Sequence, residues 1–240
     1  MNSERTAHLA FRARFRENAI HAWVRAWARL VSPIATRLFH HSLIFRTGNF
    51  ASVRWAGSPV WQSIIDLWTI QETIAEIRPA LLIETGTHKG GSALFYAHLM
   101  DALDHGRVIT IYVDDAAEVT HPRIRFLTGS STAPEIVEEV QDVAAAAEGP
   151  VMVILDSDHD RKHVARELEI YAPLVTPGSL LLSQDGIIDR FWFFRNSRPG
   201  PLGANREFLD RHPEFEHDRE RNERYLLSHH PLGWMRRRAG

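Results

Sequence analysis

Short apolar runs alternate with segments of helical periodicity between residues 80 and 183, and this alternation most restricts the possible folds. We predict strands at 80–83, 107–113, 123–127, 150–155 and 179–182, with helices at 90–103, 133–147 and 160–171. Strands that are apolar along their whole length must be buried on both faces. When helices separate such strands, the usual result is a parallel sheet covered on both sides. The sequence therefore predicts a doubly wound α/β domain.

The segments that flank this core have different patterns. Residues 1–50 are predicted to form an N-terminal helical appendage, which Pro33 should divide into two helices because proline cannot donate a backbone hydrogen bond. Helical spacing continues over residues 60–76 and again over 206–211. Two further segments, 215–219 and 224–229, are predicted to form an antiparallel pair at a sheet edge, joined near Asn222. The predicted domains are thus 1–50 and 51–240.

Composition and charge narrow the possible partners. The formal net charge of −2 gives no basic field of the kind that binds nucleic acid. No run reaches the roughly 18 apolar residues of a spanning helix, and the N-terminus lacks the pattern of a cleaved signal peptide. Residues 9–30 form a basic amphipathic helix, whose apolar stripe we assign to packing or self-association in preference to a membrane surface. We expect a cytoplasmic homo-oligomer.

The loop after the first strand is acidic and rich in glycine. Gly86, Gly90 and Gly91 let the backbone approach a ligand and let a helix begin at once. A nicotinamide dinucleotide fold would favour the spacing GxGxxG, with pyrophosphate at the helix N-terminus. Glu84 would repel pyrophosphate, but it suits a cationic ligand such as the amino group of S-adenosylmethionine (SAM).

Polar residues also follow the second and third strands. An acidic residue at the end of the second strand of such folds commonly binds ribose hydroxyls, and Asp114 and Asp115 are the candidates. Ser130 and Ser131 follow the third strand. Since parallel strands end at one edge of the sheet, these groups should lie near the glycine-rich loop.

The loops after the fourth and fifth strands carry a candidate metal site. Asp156, Asp158, Gln184 and Asp185 would supply carboxylate and amide oxygens, which suit Mg²⁺ better than zinc. A divalent ion there would hold an acceptor hydroxyl and lower its pKa. His159 is the candidate general base beside the candidate catalytic residue Asp156.

Aromatic residues near these loops leave two interpretations open. They either line an apolar acceptor pocket or fill the core, and the dense run 191–194 is the better pocket candidate. The residues concerned are Trp55, Trp61, Trp68, Phe191, Trp192, Phe193 and Phe194.

Several motifs together resemble the cephalosporin hydroxylase / rhamnosyl O-methyltransferase family of SAM-dependent enzymes. The matching stretches are Gly57–Gln62 with Asp66–Trp68, Arg78–Pro79, Leu82–Thr87, Gly90–Phe95, Val151–His159 and Tyr171–Gly178. The resemblance covers most of residues 55–230, and the segments Glu-Thr-Gly-Thr and Leu-Asp-Ser-Asp-His are specific in combination.

The resemblance implies a Rossmann-type methyltransferase domain and a set of ligand contacts. Implied SAM contacts are Glu84, Gly86, Thr87, Gly91, Ser92, Asp114 and Ser131. The implied Mg²⁺ site combines the Asp156/Asp158 loop with the Gln184–Asp185 pair. The chain departs from the family at Gln184, where a carboxylate is usual, and at Tyr112, where an acidic residue is usual. The loss of one negative charge should weaken Mg²⁺ binding.

The sequence therefore predicts a SAM-dependent O-methyltransferase that acts on a hydroxyl of a sugar or another small natural-product acceptor. Two alternatives remain. One is a methyltransferase-fold binding partner with little or no turnover, which Gln184 favours. The other is a nicotinamide-dependent oxidoreductase, which Glu84 disfavours.

Overall fold

The computed structural model describes residues 2–114 and 117–240, so the predicted ribose partner Asp115 lies outside the described residues. The chain divides into two compact units, Met1–Arg46 and Thr47–Gly240. Within the described residues, no helix combines the length and apolar character needed to cross a membrane.

The N-terminal unit is formed by a single helix, α1 (Asn2–Thr47), with Pro33 inside it. The predicted division into two helices is therefore wrong. Proline removes one backbone hydrogen bond and favours a kink, and helix-forming residues on both sides allow the helix to continue through it. Trp23 and Trp27 stack with ring centroids 6.0 Å apart, and both are more than half exposed.

The second unit begins with small elements and continues into the predicted alternation. Its helices are α2 (Asn49–Ser52), α3 (Ile64–Ile77), α4 (Gly91–Ala102), α5 (Pro134–Ala145), α6 (Arg161–Tyr171), α7 (Pro201–Arg211) and α8 (Arg219–Glu223). Its strands are β1 (Arg54–Trp55), β2 (Ser58–Pro59), β3 (Leu81–Thr85), β4 (Arg107–Tyr112), β5 (Ile124–Thr128), β6 (Val151–Leu155), β7 (Leu180–Ser183), β8 (Phe215–His217) and β9 (Trp234–Arg237). Short 3₁₀ segments lie at Ala172–Leu174, Gly186–Arg190 and Trp192–Ser197.

The main sheet has the order β5-β4-β3-β6-β7-β9-β8 in the described part of the chain. Strands β3 to β7 are parallel to one another, and β9 is antiparallel to both β7 and β8. The expected doubly wound, mostly parallel sheet with an antiparallel edge is confirmed. Strand order reverses between β3 and β6, and in such sheets ligands bind at the carboxyl ends beside this reversal.

Alternation along the strands builds one core on each face of the sheet. In β3, Leu81 and Ile83 pack with apolar residues of α5, α6 and α7, whereas Leu82 packs with those of α3 and α4. All three side chains are fully buried. Because both faces are covered, polar groups at the strand ends are left at the edges of the sheet.

The C-terminal edge differs from the prediction. Strand β8 pairs with β9, and the predicted second strand at 224–229 is not formed. Asp218 accepts a hydrogen bond from the backbone N–H of Arg221, which caps α8 where a hairpin was expected. Leu226 has a φ of 64° and is 68% exposed, so the apolar residues that suggested a strand there lie in a turn.

Candidate functional site

Gly86 brings the ends of β3 and β6 into contact. Its φ is +91°, and a Cβ at this position would lie 1.8 Å from the backbone oxygen of Asp156. Its N–H also donates to the backbone oxygen of Ile111 at the end of β4. Only glycine combines this backbone conformation with so close an approach. The glycine thus joins three strand ends beside the point where strand order reverses.

Glu84 is fully buried at the end of β3. Thr110 donates a hydrogen bond of 2.6 Å to Oε2, and Thr110 is itself bonded to Thr87 at 2.5 Å. Oε1 has no hydrogen-bond partner among the described residues. Burial raises the pKa of Glu84 to about 7, against the opposing effect of hydroxyls on Ser92 and Thr110. A buried carboxylate oxygen without a partner is the group that a ligand cation would stabilise.

A cavity of about 930 Å³ opens along the carboxyl ends of β3 to β7. This volume is at the upper end of the range for small-molecule sites. Its wall includes these residues from the predicted set: Gly86, Thr87, Ser92, Asp114, Ser130, Ser131, Asp156, Asp158, His159 and Asp185. Further lining residues include Val60, Trp61, His88, His163, Ile187, Ile188 and Phe194.

Three of the predicted SAM contacts are not among the residues that line the cavity. Glu84 is buried, and a Cβ on Gly90 would meet the side chain of Val119. A Cβ on Gly91 would lie 2.0 Å from the backbone oxygen of Pro59. The glycine at 91 therefore lets the 59–62 segment pack against the start of α4.

The two halves of the cavity differ in chemistry. Asp114, Ser130 and Ser131 follow β4 and β5 on one side of β3, and they offer hydroxyl and carboxylate groups. Asp156, His159 and Asp185 follow β6 and β7 on the other side, and their ligand atoms lie within 4.8 Å of one another. A ligand that spans the end of β3 would meet both sets.

The other two predicted metal ligands, Asp158 and Gln184, have different surroundings from these three residues. Asp158 lines the cavity, but its Oδ1 accepts the backbone N–H of Asp160 at 2.9 Å. Gln184 is 2% exposed and is not among the lining residues, and its Nε2 has no hydrogen-bond partner in the described part of the chain.

The side chains of Asp156, His159 and Asp185 shift one another's pKa values. Burial and the charge of Asp185 hold the pKa of Asp156 well above its usual range. Burial also acts to raise the pKa of Asp185, but its contact with His159, at 3.3 Å between Nε2 and Oδ2, lowers it overall. Burial opposes protonation of His159, yet the three nearby aspartates raise its pKa to about 9. The His159 imidazolium is therefore the cation that faces these two acidic side chains.

This donor set fits a divalent cation. Two carboxylates compete for one positive charge, and hard cations such as Mg²⁺ prefer oxygen ligands of this type. A bound cation would replace the imidazolium charge and lower the pKa of His159. Asp156 and Asp185 are thus the residues that could hold the metal, with His159 beside them.

Gln62 was not singled out as a functional residue in the sequence, although it lies in a family motif. It is 2% exposed, and its Nε2 donates to Asp156 Oδ2 at 3.3 Å and to Tyr96 OH at 3.2 Å. The side chain therefore orients Asp156 from the 59–62 segment. Its place at the end of the Gly57–Gln62 motif, just before α3, was the signal that could have found it.

The aromatic residues do not all line the cavity, and they do not all fill the core. Trp61 and Phe194 line the cavity, and the Trp61 ring stacks on His88 with centroids 4.8 Å apart. Trp55 packs edge-on against Phe95. Trp68 and Trp192 are 59% and 71% exposed and are not among the lining residues.

Comparison with known proteins identifies the family. The model of the rhamnosyl O-methyltransferase/CmcI family matches residues 48–238. A rhamnosyl O-methyltransferase of Mycobacterium bovis (strain BCG / Pasteur 1173P2) is 31% identical over 225 residues, which covers 86% of this chain and 91% of the relative. A protein of the same name from Mycobacterium leprae (strain TN) is 32% identical over 200 residues, covering 80% and 86%.

Solved structures of methyltransferases share the fold of this chain. A CmcI structure described as containing Mg and SAM aligns with a TM-score of 0.64 at 18% identity, covering 80% of this chain and 78% of that one. A putative caffeoyl-CoA O-methyltransferase from Staphylococcus aureus aligns with a TM-score of 0.51 at 20% identity, covering 78% and 92%. The family model covers most of the second unit, and the Mycobacterium bovis relative is 31% identical over 86% of this chain, so this chain belongs to the rhamnosyl O-methyltransferase/CmcI family.

Proposed function

We propose that the protein is a SAM-dependent O-methyltransferase that transfers a methyl group to a hydroxyl of a sugar or natural-product acceptor, assisted by Mg²⁺. The juxtaposition of the cavity at the carboxyl ends of β3 to β7 with the cluster of Asp156, His159 and Asp185 carries the proposal. Relatives named rhamnosyl O-methyltransferase support the acceptor class.

Strand order supports one orientation for SAM in the cavity. The adenosine part would occupy the β4–β5 side, with Asp114 at the ribose and Ser130 and Ser131 near the base. The methionine part would cross Gly86 and Thr87, and its ammonium group would approach the buried Glu84. This arrangement would direct the methyl group toward the β6–β7 side, where the carboxylates lie.

On that side, Asp156 and Asp185 would hold Mg²⁺, which would favour the ionised form of an acceptor hydroxyl. His159, at 3.3 Å from Asp185, would accept the hydroxyl proton once its own pKa has fallen from about 9. The methyl group of SAM is already activated, so alignment of the acceptor oxygen with it would provide most of the rate.

Two measurements test the proposal. Calorimetry should show that SAM binds, and binding of NADH in preference to SAM would refute the methyltransferase assignment. Trideuteromethyl-SAM incubated with methyl α-rhamnoside and Mg²⁺ should give a product heavier by the labelled methyl group. SAM binding without label transfer to this acceptor or a panel of glycosides would favour the alternative of an inactive binding protein.

We predict that SAM affinity falls at acid pH. Because the pKa of Glu84 is about 7 without ligand, its carboxyl is mostly neutral below that pH and ionised above it. If the ammonium of SAM requires the ionised form, affinity should fall by up to about tenfold per pH unit below pH 7 and level off above it. Calorimetry between pH 5.5 and 8 would show this slope, and Glu84→Gln should flatten it. An equal slope in both proteins would contradict the role of Glu84.

We predict that Trp61 contributes to acceptor binding. Trp61 is 51% exposed, lines the cavity and stacks on His88, and it directly precedes Gln62, which is bonded to Asp156; we therefore propose that its exposed face meets the acceptor. Trp61→Ala should raise the KM for methyl α-rhamnoside about threefold to tenfold, as for loss of a favourable ring contact, and leave SAM affinity unchanged. Trp68→Ala is the matched control, because this exposed tryptophan does not line the cavity. Equal effects of both variants would contradict the prediction.

We also propose that the protein is a homo-oligomer and that residues 1–50 are a separable appendage that mediates self-association. Helix α1 exposes an apolar stripe that includes Trp23, Trp27 and Ile34. Trp23→Glu should therefore lower the mass measured by light scattering, whereas Ala22→Glu, on another face of the helix, should not. An unchanged mass for Trp23→Glu would contradict self-association through this stripe.

A further inference from the structure

A buried polar cluster connects α3 to the loop that carries Asp185. Asp66 lies in the first turn of α3 and is 1% exposed. Its Oδ1 accepts from the hydroxyl of Ser228 at 2.7 Å, and its Oδ2 accepts from the backbone N–H of His229 at 3.0 Å. Both oxygens of this buried carboxylate therefore hold the segment 228–230, which is distant in the sequence.

The same segment is fixed a second time through Ser228. The serine hydroxyl accepts the backbone N–H of His230 and the indole N–H of Trp234, each at 3.0 Å. Trp234 is fully buried in strand β9. Segment 228–230 therefore forms a rigid support, because the hydrogen bonds to Asp66 and the packed indole of Trp234 both constrain it.

This support holds the backbone of the Asp185 loop. His230 Nδ1 accepts the N–H of Asp185 at 3.0 Å, and the backbone oxygen of His229 accepts the N–H of Ile187 at 2.9 Å. Asp185 has a φ of 55°, a left-handed conformation that is uncommon and costly for a residue other than glycine. The two hydrogen bonds offset that cost and fix the direction in which the Asp185 side chain leaves the backbone.

The hydrogen bond from the Asp185 N–H to His230 Nδ1 also defines the tautomer of the neutral imidazole. Since Nδ1 accepts a hydrogen bond, the neutral ring carries its proton on Nε2. Nε2 is 3.9 Å from Asp66 Oδ2, so the ring edge that carries the proton faces the buried carboxylate. The His230 side chain is 1% exposed and lies outside the cavity wall, so its link to the cluster passes through Asp185.

We propose that Asp66 and His230 are positioning residues that set the affinity of the cluster for Mg²⁺ by holding Asp185 toward Asp156 and His159. The inference rests on the proposed function, because it assumes that Asp185 binds the metal. Groups that orient metal ligands in this way typically change metal affinity by 10-fold to 100-fold when they are lost.

A matched pair of variants at one position tests the proposal. The amide oxygen of His230→Asn can occupy the place of Nδ1 and accept the N–H of Asp185. His230→Gln carries the same amide one carbon further out, near the place of Nε2, and cannot make that contact. Calorimetric titration of each SAM-loaded protein with MgCl₂ should show about tenfold weaker Mg²⁺ binding for His230→Gln. Binding by His230→Asn should stay within about threefold of the parent.

SAM affinity and the thermal midpoint of unfolding, measured for both His230 variants, test whether His230 has only a structural role. If His230 only stabilised the fold, both variants would alter these quantities together and Mg²⁺ affinity would not separate them. Equal Mg²⁺ affinity for the Asn and Gln variants would overturn the inference and leave the proposed function standing.

Absence of Mg²⁺ binding by the unaltered protein at millimolar metal would instead overturn the metal part of the proposed function, and the inference with it. If His230→Gln does not fold, Asp66→Asn should replace it and weaken Mg²⁺ binding in the same direction; an unchanged affinity there would also overturn the inference.

Discussion

Replacing Asp185 with asparagine should reduce Mg²⁺-stimulated methyl transfer by about 10²-fold to 10³-fold, the effect typical of removing one charge-stabilising group from an active site. Asparagine keeps the size of the side chain and removes the charge that contacts His159 and faces Asp156. With one carboxylate left in the cluster, Mg²⁺ should bind far more weakly. SAM affinity should not change, because the SAM contacts proposed here lie on the other strand ends. The measurement is the rate of label transfer from trideuteromethyl-SAM across a Mg²⁺ titration.

Asp158→Asn is the matched control for this experiment. Asp158 lines the same cavity and carries the same charge, but it lies outside the three-residue cluster and accepts a backbone N–H. We expect it to retain activity within about threefold of the parent, as for a surface hydrogen bond. Equal losses in the two variants would show that the cavity responds to total charge alone. Full activity of Asp185→Asn in excess chelator would refute the metal-assisted mechanism and leave His159 as the only general base.

The Asp185 experiment also bears on Gln184. The sequence resemblance implies a carboxylate at this position, whereas the side chain is a buried amide that does not line the cavity. A protein that has lost turnover would bind SAM yet show no rate for Asp185→Asn to reduce. Measurable transfer that falls in Asp185→Asn would separate a weakened metal site from an inactive binding partner.

The parallel sheet could be predicted because its signals are local. The segment Val151–Leu155 is apolar at every position, and it forms a strand buried on both faces. The predicted proximity of Asp156, His159 and Asp185 followed from topology, since neighbouring parallel strands end at one edge. Position along the strand was enough to place these residues within reach of one another.

The remaining parts of the site depend on contacts that the local sequence does not encode. Gln62 and Asp66 precede the sheet, yet they contact Asp156 and segment 228–230, respectively. Nothing in the local sequence marks His230 as functional, because a pair of histidines without carboxylates nearby in the sequence forms no recognised motif. Asp66, which lies 164 residues earlier, is the missing carboxylate, and only the fold brings it within 3.9 Å of the ring. Asp158 shows a different limit of the sequence, because its spacing fits a metal motif while its Oδ1 also accepts a backbone N–H within its own loop, which the spacing does not reveal.

The largest expected effect on stability is that of Gly86→Ala. Alanine at a φ of +91° is strained, by about 1–2 kcal/mol for a left-handed conformation. The added methyl group would also lie 1.8 Å from the backbone oxygen of Asp156, so β3 and β6 would have to separate at the site itself. We expect the free energy of unfolding to fall by more than about 4 kcal/mol, which is exceptional for a single substitution.

Gly57→Ala separates backbone strain from the steric clash. Gly57 has nearly the same φ, +89°, but a Cβ there would meet no atom within 4 Å. This variant should therefore lose only the conformational cost, about 1–2 kcal/mol. Urea unfolding of both variants measures the difference, which isolates the contact between Gly86 and Asp156. If Gly86→Ala cost no more than Gly57→Ala, the close approach of the two strand ends would be refuted. If the larger loss is found, any Gly86→Ala protein that still folds should also bind SAM and Mg²⁺ more weakly, because the close approach of Gly86 helps to align the glycine-rich loop with Asp156.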